Sequence, residues 1–214
     1  IKVVIYGIGP IGERIARVVL EKEGLMIVGA IDVARDKVGR DLGDLLGIGR
    51  KLGVVVTDDP DSLFERLDAD IALVATTSYV KTVYSQIVRC IEAGMDVITT
   101  SEELAYPWVN EPQLASEIDG LAKRYGVTVL GAGVNPGFLL DTLAIVLSTP
   151  LPILKKIKAK RSLDASKRRK SFIEKIGLGL NPSEFLQGLE SGRYTGHVGY
   201  AESVCIVADA ASLT

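Results

Sequence analysis

Residues 2–12 read Lys-Val-Val-Ile-Tyr-Gly-Ile-Gly-Pro-Ile-Gly, and this stretch decides the fold. Its first half is β-branched and aromatic, which is typical of a buried strand. Gly7, Gly9 and Gly12 then form a G-x-G-x-x-G pattern that leads straight into an amphipathic stretch. In a strand–turn–helix unit, these glycines allow the tight turn, the approach of a diphosphate and close helix–strand packing, respectively. The pattern therefore predicts a dinucleotide site, with the diphosphate at the helix N-terminus.

A second strand, expected at residues 26–31, ends in Asp32, twenty residues beyond Gly12. A carboxylate at this place would accept hydrogen bonds from a ribose 2′-hydroxyl and repel a 2′-phosphate, which favours NAD. Arg35 and Lys37 follow closely and would accommodate the phosphate of NADP. Both cofactors therefore stay open. In the alternative interpretation, Asp32 only caps the end of its strand.

The same alternation of apolar runs and amphipathic stretches continues through the first 130 residues. It predicts a Rossmann-type α/β domain over residues 1–150, with a doubly wound parallel sheet and right-handed crossovers. The strand at 71–75 is apolar almost throughout, as expected for a parallel sheet that is covered on both faces. The expected strands are 2–6, 26–31, 54–56, 71–75, 96–99 and 128–130, and the expected helices are 11–23, 60–67, 80–93 and 111–125.

The sequence changes character after the glycine-rich loop at 131–137, and Pro150 and Pro152 indicate a domain boundary. A single strand cannot form a sheet, so residues 151–214 are predicted to open a second α+β domain whose remainder is missing. The expected elements beyond the loop are a helix at 138–147, a strand at 153–161 and helices at 183–191 and 201–212.

Composition excludes several classes of protein. The formal net charge is −2, which disfavours nucleic-acid binding through bulk positive charge, and 47% hydrophobic residues disfavour a disordered chain. No apolar run is long enough to span a membrane. The two cysteines, Cys90 and Cys205, are too few for a disulfide framework and lack metal-ligand spacing. A cytoplasmic protein without a nucleic-acid or membrane partner is predicted.

Small hydroxylated residues follow the strand at 71–75, at the sheet edge where such folds bind ligands. They are suited to the nicotinamide-side ribose and the pyrophosphate, or to capping the helix behind them. The residues expected at the cofactor are Gly7, Gly9, Pro10, Ile11, Gly12, Asp32, Arg35, Thr76, Thr77 and Ser78.

Two adjacent carboxylates, Glu102 and Glu103, follow the strand at 96–99, close to the only tryptophan, Trp108. An apolar wall raises the pKa of a carboxyl group and a substrate ammonium lowers it, so this is a candidate acid/base or ammonium-binding site. Neighbouring residues rarely face the same way, so at most one should point into a cleft. As acids at a helix start, both would alternatively complement the helix dipole.

Three segments together carry a resemblance. They are the glycine pattern at 7–12, Glu-Glu-Leu-Ala-Tyr-Pro at 102–107 and Asn-Pro-Gly-Phe at 135–138. They resemble the family of 2,4-diaminopentanoate dehydrogenases and native NAD(P)-dependent amine dehydrogenases, which is related to dihydrodipicolinate reductase. The second and third segments are the specific ones, because many dehydrogenases share the first. The resemblance spans essentially the whole chain and continues through 161–166, 175–177 and 196–199.

The resemblance implies reversible oxidative deamination of an amine to a ketone and ammonia, with NAD or NADP, by a homodimer. Position in the motif makes Glu102 the first choice, and Glu103 the second, for the group that holds and deprotonates the amine. In the family, Asn135, Pro136 and Gly137 would shape the floor near the nicotinamide and the substrate carbon, with Asn135 touching both ligands.

Arg161, Arg168 and His197 lie in segments that match the family's substrate pocket, which lies between the two domains. An arginine would pair with the carboxylate of a substrate such as 2,4-diaminopentanoate. No metal site is expected, because His197 is the only histidine and no cysteine cluster accompanies it.

Two other functions remain open at this point. One is reduction of a cyclic imine or a semialdehyde within the same superfamily, although residues 162–167 lack the histidine pair of dihydrodipicolinate reductases. The other is a regulatory module that binds NAD(P) without chemistry. An amine dehydrogenase needs ammonia for the reductive reaction, whereas an imine or semialdehyde reductase does not. An enzyme would lose function when the glutamates are removed, whereas a module that only binds NAD(P) would not.

Overall fold

The computed structural model describes residues 1–167, 170–194 and 198–212. The chain forms two compact units, Ile1–Gly133 (unit 1) and Val134–Thr214 (unit 2). No helix of the described residues is long and apolar enough to cross a lipid bilayer.

Unit 1 contains a six-stranded sheet whose neighbouring strands all run parallel, in the order β3-β2-β1-β4-β5-β6. This is the strand order of dinucleotide-binding doubly wound folds, so the Rossmann-type prediction is confirmed. The strands are β1 (Lys2–Tyr6), β2 (Met26–Ile31), β3 (Val56–Thr57), β4 (Ile71–Val74), β5 (Asp96–Thr99) and β6 (Val129–Gly131). The helices are α1 (Pro10–Glu21), α2 (Leu42–Leu46), α3 (Pro60–Phe64), α4 (Val80–Glu92) and α5 (Pro112–Tyr125), with a 3-10 turn at Glu102–Ala105.

The sheet of unit 1 has a hydrophobic core on each face. Alternate side chains of a strand point to opposite faces, so Val3 and Ile5 belong to one core and Val4 and Tyr6 to the other. Buried residues of α1 and α2 complete the first core, and those of α4 and α5 complete the second. The helices on both faces leave the carboxyl ends of the strands and their loops free for a ligand.

All the regular secondary structure in the described residues of unit 2 is helical. It comprises α6 (Thr142–Ser148), a 3-10 turn at Ala165–Lys167, α7 (Lys170–Lys175), α8 (Pro182–Glu190) and α9 (Tyr200–Ala210). The strand expected at 153–161 is wrong, because these residues form no regular secondary structure. Ile153 is 74% exposed, and no other strand exists in the described part of unit 2 to pair with this segment. A β-strand without a neighbour has no partner for its backbone N–H and C=O groups.

The division between the two compact units lies after Gly133, and α6 packs against α9 within unit 2. The helix expected from 138 starts only at Thr142, since Asp141 is its N-cap and accepts a hydrogen bond from the Thr142 N–H.

Candidate active site

The turn between β1 and α1 leaves no room for side chains at two of its three glycines. Gly7 has a φ of 93°, in the region that favours glycine, and a Cβ there would lie 2.7 Å from Thr76 Cγ2. A Cβ at Gly12 would overlap the carbonyl oxygen of Gly7. At Gly9, by contrast, a Cβ would meet nothing within 4 Å. The open side of this turn is therefore the one beside Gly9, where the sequence predicts the diphosphate.

The N-terminus of α1 is suited to an anion. Its N-cap is Gly9, which offers no side-chain cap, and Pro10 occupies the first helical position. The free N–H groups of the first turn and the dipole of this 12-residue helix attract negative charge. Pro10 and Ile11 are both exposed at this end. The residues of the turn thus fit the diphosphate of a dinucleotide cofactor.

Asp32 holds the glycine turn from the end of β2. Its carboxylate accepts hydrogen bonds from the backbone N–H groups of Ile8, at 2.7 Å, and Ala34, at 2.9 Å. Lys37 Nζ lies 3.3 Å from Asp32 Oδ2 and donates to the carbonyl oxygen of Ile8 at 2.6 Å. Burial by itself would raise the pKa of Asp32, but these donors and the Lys37 charge outweigh it and lower the pKa.

The charge of Asp32 is therefore balanced within the protein by Lys37. The spacing of these residues in the sequence did not reveal this contact. Both alternatives for Asp32 remain compatible with its position, because a strand-end cap can also face a ribose. Arg35 is exposed and forms no ion pair with any described residue.

The loop after β4 lies beside the glycine turn. β1 and β4 are neighbours at the point where the strand order reverses, which is where open α/β sheets bind their ligands. Thr76 is exposed there and donates its hydroxyl to Gln86 Oε1 at 2.6 Å, whereas Thr77 and Ser78 are half-buried. The carbonyl oxygen of Ser78 accepts hydrogen bonds from the next loop along the edge.

That next loop, after β5, carries the two glutamates, and the structure separates them. Glu103 donates its N–H to the Ser78 carbonyl at 3.1 Å, and its Oε2 accepts the N–H of Val80 at 2.8 Å. Glu103 thereby caps α4, whose N-cap residue, Tyr79, makes no side-chain cap bond. Glu102 is half-buried and forms no hydrogen bond or ion pair within the described parts of the chain.

The cap made by Glu103 was missed by sequence reasoning. A tyrosine in the N-cap position was the available signal, because its side chain cannot replace Ser, Thr, Asp or Asn there. Trp108, expected as an apolar wall, is 46% exposed and lines a groove of about 370 Å³ between α5 and β6. Neither glutamate lines that groove.

In unit 2, the structure describes four of the six residues expected at the substrate. Asn135 and Pro136 are buried and joined by a cis peptide bond, and Gly137 follows with a φ of 117°. Arg161 is partly exposed in an irregular segment. The remaining two, Arg168 and His197, lie outside the described residues.

The two parts of the chain match two protein families. Residues 1–103 match the family described as dihydrodipicolinate reductase, N-terminus. Residues 138–214 match the 2,4-diaminopentanoate dehydrogenase C-terminal domain.

Individual relatives agree with these families. A 2,4-diaminopentanoate dehydrogenase from Acetoanaerobium sticklandii is 37% identical over 213 residues, which are 98% of this chain and 60% of the relative. An amine dehydrogenase from Streptomyces virginiae is 28% identical over 69% of this chain and 42% of its own. The solved structure of amine dehydrogenase from Mycobacterium smegmatis has a TM-score of 0.79 and 32% identity, covering 98% of this chain and 61% of its own. The present chain thus spans about three fifths of the first and third of these proteins.

Proposed function

We propose that this chain is a member of the 2,4-diaminopentanoate dehydrogenase family and that it carries out NAD(P)-dependent oxidative deamination of an amine to a ketone and ammonia. One observation carries the proposal. The Glu102 carboxylate has no partner among the described residues, whereas the adjacent Glu103 caps α4. Glu102 lies in the loop after β5, beside the loop after β4, which in turn lies beside the dinucleotide turn.

Glu102 is the proposed acid/base. Its carboxylate binds the substrate ammonium and takes one proton from it, because only the neutral amine can release a hydride from its carbon and become an iminium ion. A nicotinamide cofactor, when bound, accepts that hydride. Water then adds to the iminium carbon and releases one proton to solvent, which leaves a neutral carbinolamine. Glu102 returns its proton to the carbinolamine nitrogen, and the C–N bond breaks as the hydroxyl group loses its proton to solvent, giving ketone and ammonia.

The substrate side of the site is proposed at the family's positions. Asn135, Pro136 and Gly137 would contact the substrate carbon and the nicotinamide. Arg161 would pair with the carboxylate of a substrate such as 2,4-diaminopentanoate, whereas simple alkyl amines would not need this contact. Arg168 and His197 complete the proposed set.

We propose that the site uses both NAD and NADP. Asp32 would hold the ribose hydroxyls of NAD, and Lys37 reduces the repulsion that its carboxylate would exert on a 2′-phosphate. The exposed Arg35 is free to pair with that phosphate. The glycine turn and the N-terminus of α1 would bind the diphosphate of either cofactor, with Thr76, Thr77 and Ser78 on the nicotinamide side.

A cytoplasmic homodimer is the proposed working form. Cys90 and Cys205 are both free thiols, as is usual in a reducing compartment. Apolar side chains on unit 2 are exposed, among them Val146 at 59%, Leu147 at 69% and Val204 at 67%, and a second subunit would cover such surface. Light scattering on the purified protein tests the dimer.

The experiment that tests the function follows nicotinamide absorbance at alkaline pH. We expect the protein to reduce NAD+ and NADP+ when 2,4-diaminopentanoate or a sec-alkyl amine is added, and to oxidise NADPH with the corresponding ketone only when ammonia is present. Ammonia-independent reduction of a cyclic imine or a semialdehyde would instead indicate a reductase. Cofactor binding without turnover on any of these compounds would indicate a non-catalytic module.

A further inference from the structure

Asp141 is a fully buried carboxylate that the proposed reaction does not use. Its Oδ2 accepts hydrogen bonds from the Gly137 N–H, at 2.8 Å, and the Ser203 hydroxyl, at 2.7 Å. Its Oδ1 accepts the N–H of Thr142 at 2.6 Å. Burial alone would raise the pKa of Asp141, but these donors outweigh burial and lower the pKa. Asp141 is therefore a buried anion that, among the described residues, is stabilised by hydrogen bonds from two backbone N–H groups and one hydroxyl.

These hydrogen bonds fix the turn at residues 135–137 through its backbone. Asp141 binds the N–H of Gly137, and the hydroxyl of Thr142 donates to the carbonyl oxygen of the same glycine at 2.9 Å. Both polar backbone groups of Gly137 are thus held by adjacent residues of the α6 N-terminus. One carboxylate and the hydroxyl beside it therefore hold both backbone groups of Gly137.

Ser203 connects this turn to a distant part of unit 2. It lies in the first turn of α9, is 3% exposed and stands 62 residues from Asp141 in the chain. The segment directly before α9 is Gly-His-Val-Gly at 196–199. Asp141 therefore links α9, through Ser203, to the Asn-Pro-Gly-Phe segment, through Gly137. A shift of Asp141 would change the position of both.

We propose that Asp141 is a positioning residue, which holds the turn at 135–137 and the start of α9 in the arrangement that an amine substrate needs. The inference rests on the proposed function, because that function puts Asn135, Pro136 and Gly137 at the substrate. Asp141 acts through the backbone of Gly137 and does not touch the substrate. A displacement of about 1 Å in a group that positions a substrate costs about 10²-fold in rate.

Three variants of the protein test this role. Asp141→Asn keeps the size of the side chain but removes its charge, and it sets an amide NH2 against a donor that needs an acceptor. Ser203→Ala removes one donor and leaves the carboxylate bound to both backbone N–H groups. Asp209→Asn makes the same chemical change at an exposed position of α9 and is the matched control.

Two measurements are made on each variant: hydrogen exchange of the Gly137 amide by NMR, and kcat and KM for the amine together with the Kd of NAD+. For Asp141→Asn we expect Gly137 exchange at least about 10-fold faster and kcat/KM for the amine about 10²-fold lower, with the Kd of NAD+ unchanged within about twofold. Ser203→Ala should show the same pattern with a loss of about 10-fold or less, and Asp209→Asn should match the unaltered protein.

The proposal is overturned if Gly137 exchanges faster while kcat/KM stays unchanged, or if NAD+ affinity falls in the same proportion as turnover. If Asp141→Asn does not fold, Gly137 exchange and amine kinetics of Ser203→Ala decide between the same outcomes. If the unaltered protein oxidises no amine, the proposed function fails, and the exchange rate of Gly137 still decides the positioning role. An exchange rate that none of the variants changes would overturn that role by itself.

Discussion

Glu102 and Glu103 are neighbours in the chain, yet among the described residues only the Glu103 carboxylate has a structural role. Glu103 accepts the N–H of Val80, a residue 23 positions earlier, and so completes the cap of α4. Sequence patterns predicted a pair of carboxylates at the sheet edge and predicted that at most one would enter a cleft. Local pattern did not distinguish the two, because the deciding contact is between loops that follow different strands, and only the resemblance to the family ranked Glu102 first.

Removing the Glu103 carboxylate should destabilise the protein without abolishing amine oxidation. Glu103→Ala leaves the N–H of Val80 without its acceptor, and we expect the free energy of unfolding to fall by about 1 kcal/mol. Glu103→Gln keeps an oxygen at the same place and should lose less. Urea unfolding of both variants, followed by circular dichroism, measures this difference. Unchanged stability in Glu103→Ala would contradict the capping role.

Asp141 should make stability depend on pH in the acid range. Its pKa in the folded protein is lowered, and an unfolded aspartate has a pKa of about 3.9. The stabilisation is therefore complete above the unfolded value and is lost as the pH falls through the folded one. We expect the difference in unfolding free energy between the unaltered protein and Asp141→Asn to shrink as urea titrations move from pH 6 towards pH 3. A difference that is independent of pH would contradict a charged Asp141.

At the scale of elements, the β1–turn–α1 unit was predictable because its signals are local. The strand residues, the glycines and the apolar periodicity of the helix lie within one short stretch, and the structure has a strand and a helix there at nearly the expected bounds. The strand expected at 153–161 was wrong for the opposite reason. Whether a β-branched stretch becomes a strand depends on a neighbouring strand, which local sequence cannot supply.

The glycine turn should tolerate a methyl group at one position and not at another. A Cβ at Gly12 would overlap the backbone of Gly7, so Gly12→Ala should lower the free energy of unfolding by about 1–3 kcal/mol. A Cβ at Gly9 meets only open space, so Gly9→Ala should stay within about 1 kcal/mol of the unaltered protein. We nevertheless expect Gly9→Ala to weaken NAD+ binding at least about 10-fold in calorimetry. Unaltered affinity would mean that the diphosphate does not approach Gly9.

At the scale of the whole molecule, the two units are built differently. Both hydrophobic cores lie within unit 1, whereas α6 of unit 2 contains no buried residue. In unit 2, the buried carboxylate of Asp141 accepts the Ser203 hydroxyl and so links the start of α6 to α9. The contact between Asp141 and Ser203 spans 62 residues, so it leaves no local sign in the sequence.

Residues 1–133 should therefore fold by themselves. We expect this fragment to unfold cooperatively in urea and to bind NAD+ with a Kd within about 10-fold of that of the whole chain, since the glycine turn, Asp32 and the loop after β4 all belong to unit 1. It should not oxidise amines, because the proposed substrate residues are absent. A fragment that fails to fold would contradict an independent core in unit 1.

Amine-dependent reduction of NAD+ by Glu102→Gln and by Glu103→Gln distinguishes the acid/base from the helix cap. We predict that Glu102→Gln lowers kcat/KM for the amine by about 10²–10⁴-fold, the usual contribution of a general acid/base, while its melting temperature and the Kd of NAD+ stay unchanged. Glu103→Gln should keep its rate within about 10-fold of the unaltered protein. An unchanged rate in Glu102→Gln, or a loss confined to Glu103→Gln, would contradict the assignment of Glu102 as the acid/base.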